Sequence, residues 1–217
     1  MSKPITVLLV DDHAVVRAGF KMLLTTDPRF QVIAEAERGE AAIQLYVETQ
    51  PEVMVLDLSM PGIGGLETLR RVCNRDKAAK VLVFSVHDES VYIDRALSAG
   101  AKGYITKHAH PDILMTAISE IAAGGIYIEP GLTANAHMTT ESAQTPDYKT
   151  IIDQLSAREF DVFLLLAKGL TAHKIADELC LGYKTVANYG TQIRTKLNVS
   201  SVAELAHIAI ALGVMKK

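Results

Sequence analysis

The sequence is poor in cysteine: Cys73 and Cys180 are the only two in 217 residues, and they lie far apart. Two cannot build the disulfide framework of a secreted domain, so a reducing compartment is expected. Long hydrophobic runs are also missing. No stretch of about 18 or more uncharged apolar residues occurs, so no membrane-spanning helix is expected. The opening Met1-Ser2-Lys3-Pro4 leads into a short apolar run and then the acidic pair Asp11-Asp12, the wrong flank for a secretory signal. These features predict a cytoplasmic chain with no membrane partner. The composition that remains, 49% apolar and 22% charged, suits one or two globular domains with cores of their own.

Charge divides the chain. Residues 1–124 carry a net charge of −3, residues 125–152 −2 and residues 153–217 +2. An acidic front and a mildly basic back predict two modules, with any polyanionic partner at the back. Within residues 182–200 the charged residues are Lys184, Arg194 and Lys196, with no acid among them.

Segments of strand length, rich in Val, Ile and Leu, recur at 5–10, 30–36, 53–58, 80–85 and 103–106. They mostly lack polar alternation, as strands buried on both faces of a parallel sheet do. Helical periodicity fills the gaps at 14–24, 40–46, 66–72, 91–97 and 113–121. Five βα repeats specify an α/β fold, a doubly wound five-stranded parallel sheet. Ligands of such folds bind beyond the carboxyl ends of the strands. Those ends carry Asp11 and Asp12, Asp57, Ser85, and Thr106-Lys107. Carboxylates converging on one crevice need a hard cation, and oxygen ligands of this kind suit Mg2+. Asp57 can then attack phosphorus as a carboxylate nucleophile, with the cation and Lys107 neutralising the transferred group. Gly62, Gly64 and Gly65 do not form G-x-G-x-x-G after a strand and read as a turn.

Asp11-Asp12, Asp57 followed by Leu58-Ser59-Met60-Pro61-Gly62, Ser85, and Gly103-Tyr104-Ile105-Thr106-Lys107 together resemble a bacterial response-regulator receiver domain of CheY-like fold. The resemblance implies that Asp57 is the phosphoacceptor. It implies Mg2+ held by Asp12, Asp57 and the backbone carbonyl of Ser59, with Asp11 acting through water. Lys107 would contact the phosphoryl group. Ser85 and Tyr104 would be the switch pair, the hydroxyl following the phosphate as the ring moves inward. Ser59 and His87 flank the pocket and are expected to tune the phosphate lifetime. His108 stands where many receivers have proline. It and His110 read as solvated residues before a helix that Pro111 opens.

Gly124-Gly125 closes the fifth helix. Residues 126–130 read as extended and 137–147 as a polar tether, with a short helix near 131–138. Ser156-Ala157-Arg158-Glu159 is then a capping box. The helix it opens has Phe160, Phe163, Leu164 and Ala167 on its buried side and closes at Lys168-Gly169. Thr171 caps a short helix with the stripe Ile175, Ala176 and Leu179. After the turn Cys180-Leu181-Gly182, a helix at 183–197 sets Val186, Gly190, Ile193 and Leu197 on one face. Gly190 there is expected to allow close approach to the preceding helix. Lys184, Ala187, Asn188, Thr191 and Thr195 occupy the opposite face. Two short helices across such a turn are either a packing corner or a DNA-reading helix-turn-helix.

Leu155-Ser156-Ala157-Arg158-Glu159, Lys168-Gly169-Leu170-Thr171, Lys174-Ile175-Ala176, Lys184-Thr185-Val186 and Lys196-Leu197-Asn198-Val199 resemble the LuxR-type DNA-binding domain. A receiver joined to that domain is the NarL-type response regulator, and this chain has features of the GacA/BvgA branch. By this resemblance Asn188 and Thr191 face the bases of double-stranded DNA. Lys184, Thr185, Tyr189, Arg194 and Lys196 would serve mainly phosphates. Gly182, Ala187 and Tyr189 depart from the family's commoner Ser, Lys and His, and the missing lysine implies weaker nonspecific affinity.

The expected domains are a receiver at 1–124, a linker at 125–152 and a LuxR-type helix-turn-helix domain at 153–217. The expected function is that of a bacterial two-component transcription factor, not a turnover enzyme. A sensor histidine kinase would phosphorylate Asp57, and the chain would then bind DNA as a homodimer. The apolar residues of the last helix, Val202, Leu205, Ile208 and Leu212, are either the dimer contact or ordinary packing. A phosphatase acting through an aspartyl-phosphate would need an acid where Ser59 stands and a cap domain over the site. A phosphorylation-independent DNA binder would have no need of the complete pocket.

Overall fold

The computed structural model describes residues 3–132 and 152–215. The chain divides into two compact units. In the first, β1 (Ile5–Val10), α1 (Ala14–Thr25), β2 (Phe30–Ala36), α2 (Gly39–Thr49), β3 (Val53–Leu56) and α3 (Gly65–Arg75) alternate. They are followed by β4 (Val81–Ser85), α4 (Ser90–Ser98), β5 (Gly103–Thr106), α5 (Pro111–Ala122) and β6 (Tyr127–Ile128). All strand pairings are parallel, in the order β2-β1-β3-β4-β5-β6. Both faces of the central strands are covered, which explains the missing polar alternation. Val7, Leu9, Val53, Val55, Leu82, Phe84 and Ile105 join one core with residues of α1 and α5. Leu8, Val10, Met54, Leu56 and Val83 point to the other face. All twelve side chains are at most 4% exposed.

The expectation of five strands is corrected to six. Residues 127–128 add β6 to the edge of β5, pairing Tyr127 with Gly103 and Ile128 with Tyr104. Two residues are too few to show periodicity in a sequence. Their position is set by the neighbouring strand and by Glu129. The Glu129 N–H donates to Tyr104 O at 3.0 Å. Its carboxylate accepts from the Thr106 N–H at 2.6 Å and the Thr106 hydroxyl at 2.9 Å. The tether at 137–147 and all but the first two residues of the expected helix at 131–138 lie outside the described residues.

The second unit contains α6 (Ala157–Ala167), α7 (Ala172–Glu178), α8 (Tyr183–Leu197) and α9 (Val202–Ala211). Ser156 and Glu159 close both halves of the expected capping box. Thr171 caps α7. Helix α6 packs against the other three, so it is buried on more sides than one stripe predicts. Val162, Leu165 and Leu166 are buried beside Phe160 and Phe163. One expectation changes here, and one choice left open by the sequence narrows. A Cβ on Gly190 would meet Leu166 Cδ1 and Arg194 Nη1 at 3.6 Å, ordinary contact, so no close approach demands glycine, and the helix it faces is α6 rather than α7. Leu205 and Ile208 are 0% and 3% exposed on α9, which packs on α6. Of the four apolar residues named for this segment, Val202 is the exposed one, at 41%.

Candidate functional site

The strand order reverses between β1 and β3, and the residues after those strands flank the resulting crevice. The Asp57 N–H donates to Val10 O at 2.9 Å, locking the two strand ends together. The loop after Asp57 then folds back tightly. A Cβ on Gly65 would lie 2.2 Å from Asp57 O and 2.4 Å from Leu58 Cα, so glycine alone fits there.

Asp57 is fully buried. Its Oδ2 accepts from Lys107 Nζ at 2.8 Å and its Oδ1 from the Ser59 N–H at 3.1 Å. Lys107 Nζ also donates to Asp11 Oδ2 at 2.6 Å. Burial pushes the Asp57 carboxyl above the usual carboxylate range, although Lys107 and Ser59 pull the other way. Burial would lower the Lys107 ammonium, but its bonds to Asp11 and Asp57 more than offset that and raise it. Both Asp11 oxygens are engaged, Oδ1 by the His13 N–H at 2.8 Å. Asp12 Oδ1 is buried without a hydrogen bond, although His13 Nδ1 stands 2.8 Å away. Asp11, Asp12, His13 and Asp57 offer ligand atoms within 4.8 Å of one another. An unsatisfied carboxylate oxygen beside other carboxylates fits a hard divalent cation, with Asp12 as the ready direct ligand.

The switch candidates meet at His87. Ser85 is fully buried, and its Oγ accepts from the His87 N–H at 3.3 Å. Tyr104 is fully buried, and its hydroxyl donates to His87 O at 2.9 Å. The ring therefore stands in the inward position. The His87 imidazole lies 3.2 Å from Ser59 Oγ and stacks on Tyr92 with centroids 3.9 Å apart. His108 and His110 are exposed, and His110 caps α5 by accepting from the Asp112 N–H.

In the second unit, α7 and α8 meet across a turn in which Cys180 is left-handed (φ 51). Val186, Gly190, Ile193 and Leu197 are buried on the inner face of α8. Lys184, Thr185, Asn188 and Thr191 are exposed together, and Tyr189 and Arg194 are half-buried. Lys196 is exposed as well, and it is paired within the unit. Its Nζ lies 2.7 Å from Glu159 Oε2 and donates to Gln154 O at 3.2 Å.

Two family models match the chain: the response regulator receiver domain at residues 7–119, and bacterial regulatory proteins of the luxR family at 153–209. The transcriptional activator protein ExaE of Pseudomonas putida is 40% identical over 210 residues, 97% of this chain and 98% of that one. The chain belongs to the response-regulator family. The response regulator GacA of Pseudomonas aeruginosa is 37% identical over 97% of this chain and 98% of its own. Among solved structures, the response regulator ChrA of a heme-sensing two-component system matches with a TM-score of 0.54 and 28% identity, covering 98% of this chain and 99% of that one.

A receiver joined to a LuxR-type domain makes this response regulator a phosphorylation-controlled transcription regulator rather than a dedicated enzyme. The receiver implies a histidine kinase as partner, and the LuxR-type domain implies DNA binding. No helix among the described residues is long and apolar enough to cross a membrane. Two contributors to the pocket escaped the sequence reading. His13 was signalled only by its place beside Asp12. Glu129 carried no signal at all, because its partner Thr106 lies 23 residues away.

Proposed function

We propose that Asp57 is the phosphoacceptor of this response regulator, and that its modification governs DNA binding through α8. The observation that carries the assignment is the buried Asp57 carboxylate, held by Lys107 Nζ beside the unsatisfied Asp12 Oδ1. Asp12, Asp57 and the Ser59 carbonyl would hold Mg2+, with Asp11 acting through water. The bound ion would supply charge neutralisation at the phosphoryl oxygens. An Asp57 oxygen attacks phosphorus, the O–P bond forms, and the donor's leaving group departs with its electron pair. Lys107, already aimed at Asp57, shifts its hydrogen bond onto a transferred oxygen. The Ser85 hydroxyl, whose Oγ accepts from the His87 N–H, can turn to donate its proton to a phosphoryl oxygen. Because Tyr104 is bonded to the carbonyl of the same His87, a shift at Ser85 is transmitted to the ring. This chain catalyses only its own phosphorylation and dephosphorylation.

The physiological donor is a sensor histidine kinase in the bacterial cytoplasm, and the modified chain binds double-stranded DNA as a homodimer. On α8, Asn188 and Thr191 address base edges while Lys184, Thr185, Tyr189 and Arg194 address phosphates. The domain plan remains receiver, linker and helix-turn-helix module, but β6 and Glu129 support extending the receiver past 124, to about residue 132. The test is intact mass and sizing chromatography after incubation with Mg2+ and acetyl phosphate. Wild type should gain one phosphoryl group and dimerise, and Asp57→Asn should do neither. A folded wild-type chain that gains no phosphoryl group would sink the assignment.

A further inference from the structure

We propose that His173 and Tyr183 form a contact site for the DNA phosphate backbone, beyond the residues of α8 assigned above. His173 lies on α7 and Tyr183 is the first residue of α8. Their rings stack at 4.3 Å with an interplanar angle of 19°. Tyr183 is nevertheless 49% exposed, with Val202 one of the two large hydrophobic side chains so exposed in the described part of the second unit. Among the described residues, neither the Tyr183 hydroxyl nor the His173 ring nitrogens has a hydrogen-bond partner. The pair is thus ordered by stacking while its polar atoms are left open, an arrangement that gives little burial to its own fold.

The surroundings favour a polyanion. Exposed Lys174 and Lys184 directly follow His173 and Tyr183 in the chain. Gly182 places no side chain over the start of α8. Of the acids of α7, Asp177 lies one turn beyond His173 on the same side of the helix, where Lys174 is also its neighbour, and Glu178 lies further round. Position along the helix-turn-helix favours the backbone over the bases. Asn188 and Thr191 sit more than one turn further along α8, and the first helix of such a pair crosses the sugar-phosphate backbone. A pair contributed half by α7 therefore meets phosphate, with the Tyr183 hydroxyl as donor.

This inference rests on α8 being the DNA-reading helix, so the experiment tests both. The full chain, treated with acetyl phosphate and Mg2+, is titrated into a fluorescent mixed-sequence duplex from about 50 to 200 mM salt. Tyr183→Phe keeps the ring and removes only the hydroxyl. It should weaken binding about tenfold, with an unchanged melting profile and salt slope, because no charge is lost. His173→Ala should weaken binding in the same sense. Lys184→Ala should weaken it and also reduce the salt slope by about one. If Lys184→Ala behaves so but Tyr183→Phe binds within about twofold of the parent, the stack is packing only and the proposal fails. If Lys184→Ala is silent or the parent chain does not bind, the reading of α8 falls and the proposal falls with it.

Discussion

Replacing Lys196 with methionine would remove the ammonium 2.7 Å from the Glu159 carboxylate while keeping most of the aliphatic stem. Glu159 is the buried end of this pair, with 4% of its side chain exposed, whereas Lys196 is 38% exposed. Breaking a fully buried pair costs about 3–5 kcal/mol, and an exposed pair is worth less than about 1 kcal/mol. Glu159 keeps the Ser156 N–H at 2.7 Å, so a cost of about 2 kcal/mol is expected. In a unit of this size that lowers Tm by roughly 10 °C. Burial works against ionisation of Glu159, but Lys196 and Ser156 more than offset it and hold the carboxyl below its usual range. A depressed acid stabilises the fold above its unfolded-state value, and that stability is lost as pH falls through the folded-state value. Lys196→Met should flatten this acid limb. Adding Glu159→Gln should recover most of the loss, because no buried charge is then left unpaired. Calorimetry of the full chain at neutral and acid pH reads the parent and both variants. An unchanged melt, with DNA affinity lowered and the salt slope reduced by one, would refute the structural role and return Lys196 to the phosphate contacts.

Four further substitutions separate packing from function. Gly65→Ala should cost the first unit more than about 2 kcal/mol and impair acetyl-phosphate labelling, since its Cβ meets the backbone of Asp57 and Leu58; a labelled chain of normal stability would contradict this. Gly190→Ala should instead stabilise the second unit by about 1 kcal/mol in denaturant melts, because the site is helical and uncrowded. Glu129→Ala leaves the Thr106 N–H without its acceptor and should speed amide exchange at Thr106 and Tyr127, with a stability loss of about 1–2 kcal/mol; unchanged exchange would mean that β6 holds without the latch. Leu205→Ala should cost about 2–5 kcal/mol in the melt of the second unit. A weakened dimer with an intact melt would reassign Leu205 to a subunit contact.

The chain's own order of residues determined a great deal. Strand-length apolar runs ending in Asp11-Asp12, Asp57, Ser85 and Lys107 specify both the α/β unit and its rim. Backbone pleating and sheet topology leave few other places for those ends. The capping box at Ser156–Glu159 was equally legible, because capping is a contact between neighbours in sequence. Tertiary structure alone decided matters that depend on distant partners. Lys196 pairs with Glu159, 37 residues away. Tyr127 and Ile128 become a strand because β5 offers an open edge and Glu129 finds Thr106. His87 acquires its place between Ser59, Ser85, Tyr92 and Tyr104 only when two loops close over Asp57. Local pattern reports which face of an element is apolar. Which charge ends beside which, and which edge remains to be paired, is settled by packing between segments whose separation along the chain carries no periodic signal.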